Sequence, residues 1–216
     1  MGREDGEYYP VMLDLRGERC LVVGGGEVAL RKAKGLLGTG AKVTVVAPMI
    51  DERLRGLAGA TIEERPFRAT DLHGVRLAVV ATDDATLNRT VARDARDLGV
   101  LVNVVDCPAL CSFILPATLK RGPVQVSVST GGASPTLARK LRDVLAGTVG
   151  PEYGELAELL GELRAEIIER VATSEARSQL LERLSDERML EKLRRGGREE
   201  VRREMRKAVE EAASQG

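Results

Sequence analysis

Short apolar runs alternate with amphipathic stretches over the first hundred residues. The apolar runs are rich in β-branched residues, and they predict strands at 19–23, 42–46, 76–81 and 100–105, with a weaker strand at 61–65. Helical periodicity between them predicts helices over 28–37 and 85–98. Near-continuous apolar strands separated by helices are typical of a parallel sheet covered on both faces. The first part of the chain is therefore predicted to be α/β, with a Rossmann-type doubly wound parallel sheet.

The pattern changes after Pro116. Apolar and polar residues alternate over 124–129, which predicts a strand exposed on one side, and Ser134-Pro135 is a typical helix start. An apolar stripe at helical spacing begins near residue 156, and a second stripe over 180–193 predicts one more helix, broken at Gly196-Gly197. The charged segment 198–213 predicts a solvated and partly frayed helix. The predicted domains are 1–112, a small α+β region over 113–148, and a helical domain over 149–216.

A glycine-rich loop follows the first predicted strand directly. Gly24, Gly25 and Gly26 precede Glu27 and Val28, where a helix is predicted to begin, and the loop has the form G-x-G-x-x-A. Glycines between a strand and a helix allow a tight turn, and they let the backbone approach a pyrophosphate at the helix N-terminus. The loop predicts a dinucleotide site, and a glycine turn without a ligand is the alternative.

The second predicted strand ends without the acid that usually binds the adenosine ribose. The next carboxylate is Asp51 and the next arginine is Arg53. Since no basic residue substitutes for the acid at the strand end, NAD is favoured over NADP. Thr82 and Asp83 follow another strand at the same sheet edge and predict a second cofactor contact. The alternative there is that Asp84 caps the following helix, and the two interpretations are compatible.

Two further features carry candidate chemistry. Asp106 follows an apolar strand at the sheet edge where a nicotinamide would arrive, so a carboxylate there can accept a proton while hydride leaves to the cofactor. A turn-capping aspartate is the alternative. The loop from Ser129 to Pro135 is rich in hydroxyls and glycines and is followed by cations, which is typical of an anion site. A flexible turn with a solvated basic face is the alternative.

Composition narrows the classes of function. The chain has 216 residues, equal numbers of basic and acidic residues (33 each), one histidine, three cysteines and no tryptophan. A neutral chain with 2% aromatic residues disfavours nucleic-acid binding. The single histidine argues against a histidine-based metal site or a Ser-His-Asp triad, so no metal site is predicted. Three cysteines suit structural thiols in a reducing cytoplasm, and no signal peptide or membrane span is predicted.

Five motifs in order give the chain a resemblance to a known family. They are YPVMLDL (9–15), CLVVGGGEVALRKA (20–33), VVATDD (79–84), NVVDCPALCSFILPA (103–117) and VSVSTGGASPTLARKLR (126–142). The chain resembles the precorrin-2 dehydrogenase family of sirohaem synthesis, some members of which are also sirohydrochlorin ferrochelatases. The resemblance covers about residues 8–170.

The resemblance implies an activity and a set of site residues. It implies NAD-dependent oxidation of precorrin-2, an octacarboxylate tetrapyrrole, to sirohydrochlorin by a homodimer. The region around 113–145 would be exchanged between subunits, so the region over 113–148 would be the dimerisation region. Asp106 matches the family's central aspartate. The cofactor positions implied are Gly26, Glu27, Val28, Pro48 and Met49. Substrate contacts are expected at Ser112, Thr130, Gly131, Gly132, Ser134 and Arg139.

The chain also departs from the family's pattern. Thr130 stands where some relatives carry a phosphorylatable serine, and Cys107 replaces a second acid beside Asp106. Because only Asp106 and a cysteine stand near the site as bases, we expect dehydrogenation to be the main activity and Fe²⁺ insertion to be absent or slow. An NAD(H)-sensing regulatory module is the runner-up interpretation. A small-substrate dehydrogenase is a third, although it lacks the usual proton donor.

Overall fold

A computed structural model describes residues 8–214, which form two compact units with their boundary along the chain between Leu115 and Pro116. The first unit contains a five-stranded sheet in the order β3-β2-β1-β4-β5, with every neighbouring pair parallel. Its strands are β1 (Arg19–Val23), β2 (Lys42–Ala47), β3 (Ala60–Glu64), β4 (Leu77–Val80) and β5 (Leu101–Val104). The doubly wound parallel sheet predicted from the apolar runs is confirmed.

Helices cover the two faces of this sheet. They are α1 (Glu27–Leu37), the short α2 (Glu52–Arg55) and α3 (Ala85–Asp97), and 3-10 turns span Ala69–Leu72 and Pro108–Leu110. Alternate residues of β1 point to opposite faces: Val22 packs in the core that contains Ala29 of α1, and Val23 packs in the core that contains Val91 of α3. Burial on both faces explains why the strands are apolar runs rather than alternating ones.

The second unit begins with an antiparallel hairpin of β6 (Ala117–Arg121) and β7 (Val124–Val128). Five helices follow, α4 (Pro135–Thr148), α5 (Pro151–Arg170), α6 (Ser174–Leu184), α7 (Glu187–Arg194) and α8 (Arg198–Ala213). The hairpin turn packs on α5, since a Cβ on Gly154 would stand 2.6 Å from the carbonyl oxygen of Arg121. The hairpin and the helices therefore share one packed unit.

The helical part differs from the sequence prediction in two places. The helix predicted over 180–193 is two helices, because Asp186 accepts a hydrogen bond from the Met189 backbone and starts α7. The last helix is neither fully solvated nor frayed: Val201, Met205 and Val209 are buried in one core with α5, α6 and α7. Arg198 and Arg202 tie the polar side of α8 to glutamates of α5.

No helix within residues 8–214 combines the length and the apolar character needed to span a bilayer.

Candidate functional site

The glycine loop between β1 and α1 is packed tightly on one side and open on the other. Gly24 has a φ of 133°, and a Cβ there would lie 2.2 Å from the Ala81 carbonyl oxygen. A Cβ on Gly25 would lie 1.8 Å from the Met49 carbonyl oxygen, whereas Gly26 faces open space. The first two glycines thus let the loop fit between the ends of neighbouring strands, and the third leaves one side free for a ligand.

The loop is suited to a pyrophosphate. Gly26 is the N-cap of α1, and no side chain caps the helix, so backbone N–H groups of the first turn are available to an anion. Ala29 is fully buried, which allows the close helix–strand approach that a dinucleotide loop needs. Glu27 is exposed and Val28 half-buried in the first turn. The residues present fit a dinucleotide cofactor.

The other predicted cofactor contacts lie at the same edge of the sheet. Pro48 and Met49 follow β2, and Met49 is 82% exposed. Thr82 and Asp83 follow β4, but the Thr82 hydroxyl lies 2.6 Å from the Asn88 amide oxygen and is used within its own loop. Asp84 caps α3 by accepting from two backbone N–H groups, as the alternative interpretation of this loop expected. Asp83 is exposed.

Asp106 has an unusual backbone conformation directly beyond β5. Its φ is 57°, and it is the non-glycine residue with a positive φ in the part of the chain that the structure describes. Aspartate is one of the few residues that tolerate this region. Asp106 is exposed, and its side chain has no hydrogen bond or ion pair with any residue in 8–214. The fold therefore presents a carboxylate to solvent at the ligand edge of the sheet.

The segment after Asp106 is anchored against β5 by side chains. Ser112 accepts from the Val102 backbone N–H (2.7 Å) and its own backbone N–H donates to the Val102 carbonyl (2.7 Å). The buried Asn103 amide donates to the Phe113 carbonyl (3.0 Å), and the Cys111 sulfur accepts from the Val104 N–H (3.2 Å). Ser112 thus holds the loop that carries Asp106, and its contact with a substrate stays a prediction.

Sequence reasoning missed Lys32, which lies within electrostatic range of Asp106. It is half-buried on α1, whereas the neighbouring Arg31 and Lys34 are exposed. Burial lowers the pKa of the Lys32 ammonium, the positive charge of Arg31 lowers it further, and the Asp106 carboxylate opposes both. The signal was a lysine on the α1 face that also carries Val28 and Ala29.

The predicted anion loop of the second unit is internally bonded. The Thr130 hydroxyl accepts from the Ser134 N–H (3.0 Å), and Ser134 caps α4 by accepting from the Leu137 N–H (3.2 Å). Gly131 and Gly132 have φ values of 63° and 91°, which lets the chain reverse before the helix. Arg139 is exposed one turn into α4. The structure thus groups the loop residues at one helix start, while their predicted role with a substrate stays a prediction.

Not all the cations of this region are available to a ligand. Arg121 donates to the Val149 carbonyl (3.2 Å), and Arg142 pairs with Asp143. Lys120, Arg139 and Lys140 are exposed, and none has an ion pair with a described residue.

The histidine and the cysteines have structural surroundings. His73 is exposed at the end of the 3-10 turn Ala69–Leu72. The three cysteines form no disulfide, and burial raises the pKa of the Cys20 thiol to about 11, with a smaller contribution from Glu18. The absence of a disulfide and the raised pKa of Cys20 agree with structural thiols. Residues 8–214 contain no cluster of three or more His, Cys, Asp or Glu able to hold a metal.

The fold and the open glycine loop define the first unit as a Rossmann-type dinucleotide-binding domain. Comparison with family models agrees: residues 11–117 match a putative NAD(P)-binding family, 121–147 the central region of sirohaem biosynthesis proteins, and 152–209 the sirohaem synthase dimerisation region.

Known proteins extend the match over nearly the whole chain. The chain is 43% identical over 212 residues to the siroheme synthase of Methylococcus capsulatus (strain Bath), covering 97% of this chain and 45% of that protein. It is 48% identical over 164 residues to a Pseudomonas putida siroheme synthase, covering 74% of this chain and 35% of that protein. The solved structure of SirC, a precorrin-2 dehydrogenase, matches with a TM-score of 0.78 and 30% identity, covering 93% of this chain and 100% of SirC.

The chain belongs to the family of the precorrin-2 dehydrogenases and sirohaem synthases. It spans less than half the length of these two sirohaem synthases, whereas SirC is matched along its entire length.

Proposed function

We propose that this protein is an NAD-dependent precorrin-2 dehydrogenase. The observation that carries the proposal is the match along all of SirC, with the dinucleotide loop and Asp106 at one sheet edge. The reaction removes two hydrogens from precorrin-2, one as a hydride and one as a proton, and leaves the more oxidised sirohydrochlorin. Bound NAD⁺ supplies the acceptor for the hydride.

The chain's own residues supply binding and a proton acceptor. The N–H groups at the start of α1 hold the pyrophosphate, and Gly26 leaves the room for it. Asp106 accepts the proton, because it is exposed and uses its lone pairs on no described neighbour. Lys32 lies within electrostatic range of Asp106. Within the second unit, the exposed Lys120 and Arg139 are cations suited to carboxylates.

The test is NADH formation from precorrin-2 and NAD⁺, measured for the wild type and for Asp106→Asn. Asparagine also tolerates a positive φ, so the fold and the NADH affinity should be kept. Loss of the base should lower kcat by about a hundredfold or more. Asp97→Asn, at the exposed end of α3, is the matched control and should leave turnover unchanged.

The outcomes separate the dehydrogenase from the sensing module. If the wild type binds NADH but forms none from precorrin-2, the dehydrogenase proposal fails and the NAD(H)-sensing interpretation gains. If Asp106→Asn turns over like the wild type, the proton-acceptor role of Asp106 is wrong while the activity stands.

We further propose that the protein is a homodimer and that α4 contributes to its interface. Leu137, Leu141 and Val144 recur at helical spacing on α4 and are 49%, 43% and 68% exposed. An exposed apolar stripe of this kind is typical of an interface. The sirohaem synthase dimerisation model matches residues 152–209, beyond α4, so it supports a second copy of the chain as the partner, while the exposed stripe is what assigns α4 to the interface. Leu141→Glu should shift the sedimentation mass toward the monomer, whereas Arg139→Glu, on the same helix, should not.

Iron insertion is expected to be absent or slow in this protein. Metal insertion requires a base that removes the pyrrole N–H protons. The one histidine of the sequence, His73, lies at the end of the 3-10 turn Ala69–Leu72, so it is not available as a base next to Asp106. Equal rates of Co²⁺ insertion into sirohydrochlorin with and without the protein would support this proposal. Saturable catalysis would refute it without affecting the dehydrogenase proposal.

A further inference from the structure

The residues that follow β2 form a charged cluster beside the glycine loop. β2 ends at Ala47 without a carboxylate, and Asp51 is the first acid after it. The backbone N–H of Asp51 donates to the Gly25 carbonyl (2.8 Å), and the Met49 carbonyl packs on Gly25 where a Cβ would otherwise lie. Asp51 is therefore fixed to the glycine loop although it lies four residues beyond the strand.

Asp51 also holds an arginine in a two-point ion pair. Arg53 Nε lies 3.1 Å from Asp51 Oδ1 and Arg53 Nη2 lies 2.9 Å from Oδ2, while the Arg53 backbone N–H donates to the same carboxylate (2.9 Å). These hydrogen bonds lower the pKa of Asp51 to about 2, so it is ionised at neutral pH. Glu27, in the first turn of α1, also acts electrostatically on Arg53.

The net charge of this cluster decides whether it suits NAD or NADP. Two carboxylates and one guanidinium carry one net negative charge, and the guanidinium already has a partner. A ribose hydroxyl donates well to a carboxylate, whereas a 2′-phosphate is repelled by it and needs an available cation. The cluster therefore fits an unphosphorylated adenosine ribose.

We propose that Asp51 selects NAD over NADP, by accepting the ribose hydroxyls and by keeping Arg53 from a 2′-phosphate. The proposal rests on the dinucleotide binding put forward above. In other dinucleotide-binding domains an acid at the end of the second strand binds the ribose hydroxyls, and here Asp51, at the start of α2, would do so.

A second aspartate–arginine pair provides a matched control. Asp14 and Arg16 repeat the same local geometry, with the Arg16 N–H (3.1 Å), Nε (2.8 Å) and Nη2 (2.5 Å) all on the Asp14 carboxylate. This pair precedes β1 at the amino end of the sheet, away from the glycine loop. Its replacement tests what loss of such a pair does by itself.

The experiment measures NADH and NADPH affinities by nucleotide fluorescence for the wild type, Asp51→Asn and Asp14→Asn. Asparagine keeps the N-cap of α2 but removes the charge. The wild type should prefer NADH by at least about tenfold, and Asp51→Asn should reduce that preference about tenfold or more. Asp14→Asn should leave it unchanged. Arg53→Met in the Asp51→Asn background should remove any gain in NADPH affinity.

The outcomes distinguish this proposal from the one on which it rests. If the wild type binds neither nucleotide, the proposed function fails and the selection by Asp51 with it. If the wild type binds both equally, or if Asp51→Asn and Asp14→Asn have the same preference as the wild type, only the role of Asp51 is refuted. Circular dichroism of each variant shows whether the fold is kept.

Discussion

Two adjacent glycines of the dinucleotide loop should respond to the same substitution in opposite ways. Alanine at Gly25 would place its Cβ 1.8 Å from the Met49 carbonyl oxygen and 2.9 Å from the carbonyl carbon. Alanine at Gly26 would meet no atom within 4 Å, and its φ of −97° and ψ of −168° are accessible to alanine. Gly25→Ala therefore tests packing, and Gly26→Ala tests access to the loop.

The magnitudes follow from these distances. An ordinary carbon–oxygen contact is about 3.4 Å, so Gly25→Ala has to displace backbone by more than about 1 Å, and overpacking of this kind costs about 1–3 kcal/mol. It also strains the hydrogen bond from the Asp51 N–H to the Gly25 carbonyl (2.8 Å). Gly26→Ala should leave the free energy of unfolding unchanged, or raise it by about 0.5 kcal/mol through the unfolded chain.

Nucleotide affinity should separate the two variants. The Gly26→Ala methyl group projects into the open side of the loop, where a pyrophosphate has to approach the α1 N–H groups. Loss of one charge-assisted hydrogen bond weakens binding by roughly tenfold or more. Urea unfolding and NADH titration of both variants measure the two effects. A Gly26→Ala protein that binds NADH as tightly as the wild type would refute this picture of the loop, as would a Gly25→Ala protein of unchanged stability.

Three further predictions concern two buried side chains and an ion pair. Met205→Ala should lower the free energy of unfolding by about 2–5 kcal/mol, because the side chain is fully buried, and a change below about 0.5 kcal/mol in urea unfolding would contradict the packing of α8. Cys20 should resist iodoacetamide at pH 8, since a pKa of about 11 leaves only about one thiol in a thousand ionised, whereas the half-buried Cys107 should react first by mass spectrometry. Burial alone would raise the pKa of Asp71, but hydrogen bonds from the Arg65 side chain and the Arg68 backbone N–H lower this pKa overall. The stability difference between wild type and Asp71→Asn in urea unfolding should therefore persist above about pH 4 and shrink below it; a difference independent of pH would contradict this.

Most of the sheet was predictable because β1, β2, β4 and β5 are short, mainly apolar runs, whereas β3, a partly exposed edge strand, has a weaker pattern. The same reasoning located the glycine loop and Asp106, since both lie where a strand ends. It did not predict the contact between Gly25 and Met49, which depends on how two loops distant in sequence approach each other. Nor did it predict Lys32 near Asp106, because the residues are brought together only by the packing of α1 on the sheet.

The helical part shows a second reason why the sequence prediction was wrong in places. Apolar residues recur on both sides of Ser185 and Asp186, which led to the prediction of one helix, and the capping of α7 by Asp186 divides it. In α8 the abundance of charge suggested a solvated helix. The apolar set of Val201, Met205 and Val209 has helical spacing, and it outweighs the charged residues because they occupy the other side.

The contact of Gly154 with the Arg121 carbonyl affects where this chain can be joined to a relative in a chimeric protein. The family models end one region at residue 147 and begin the next at 152, which suggests a junction near Gly150 for chimeric proteins. A chimera joined there would place a foreign helix against the hairpin turn, where any side chain at position 154 would collide with backbone. A chimera joined between Leu115 and Pro116 instead takes the hairpin and the helices from the same protein, so the contact of Gly154 with the hairpin turn is kept.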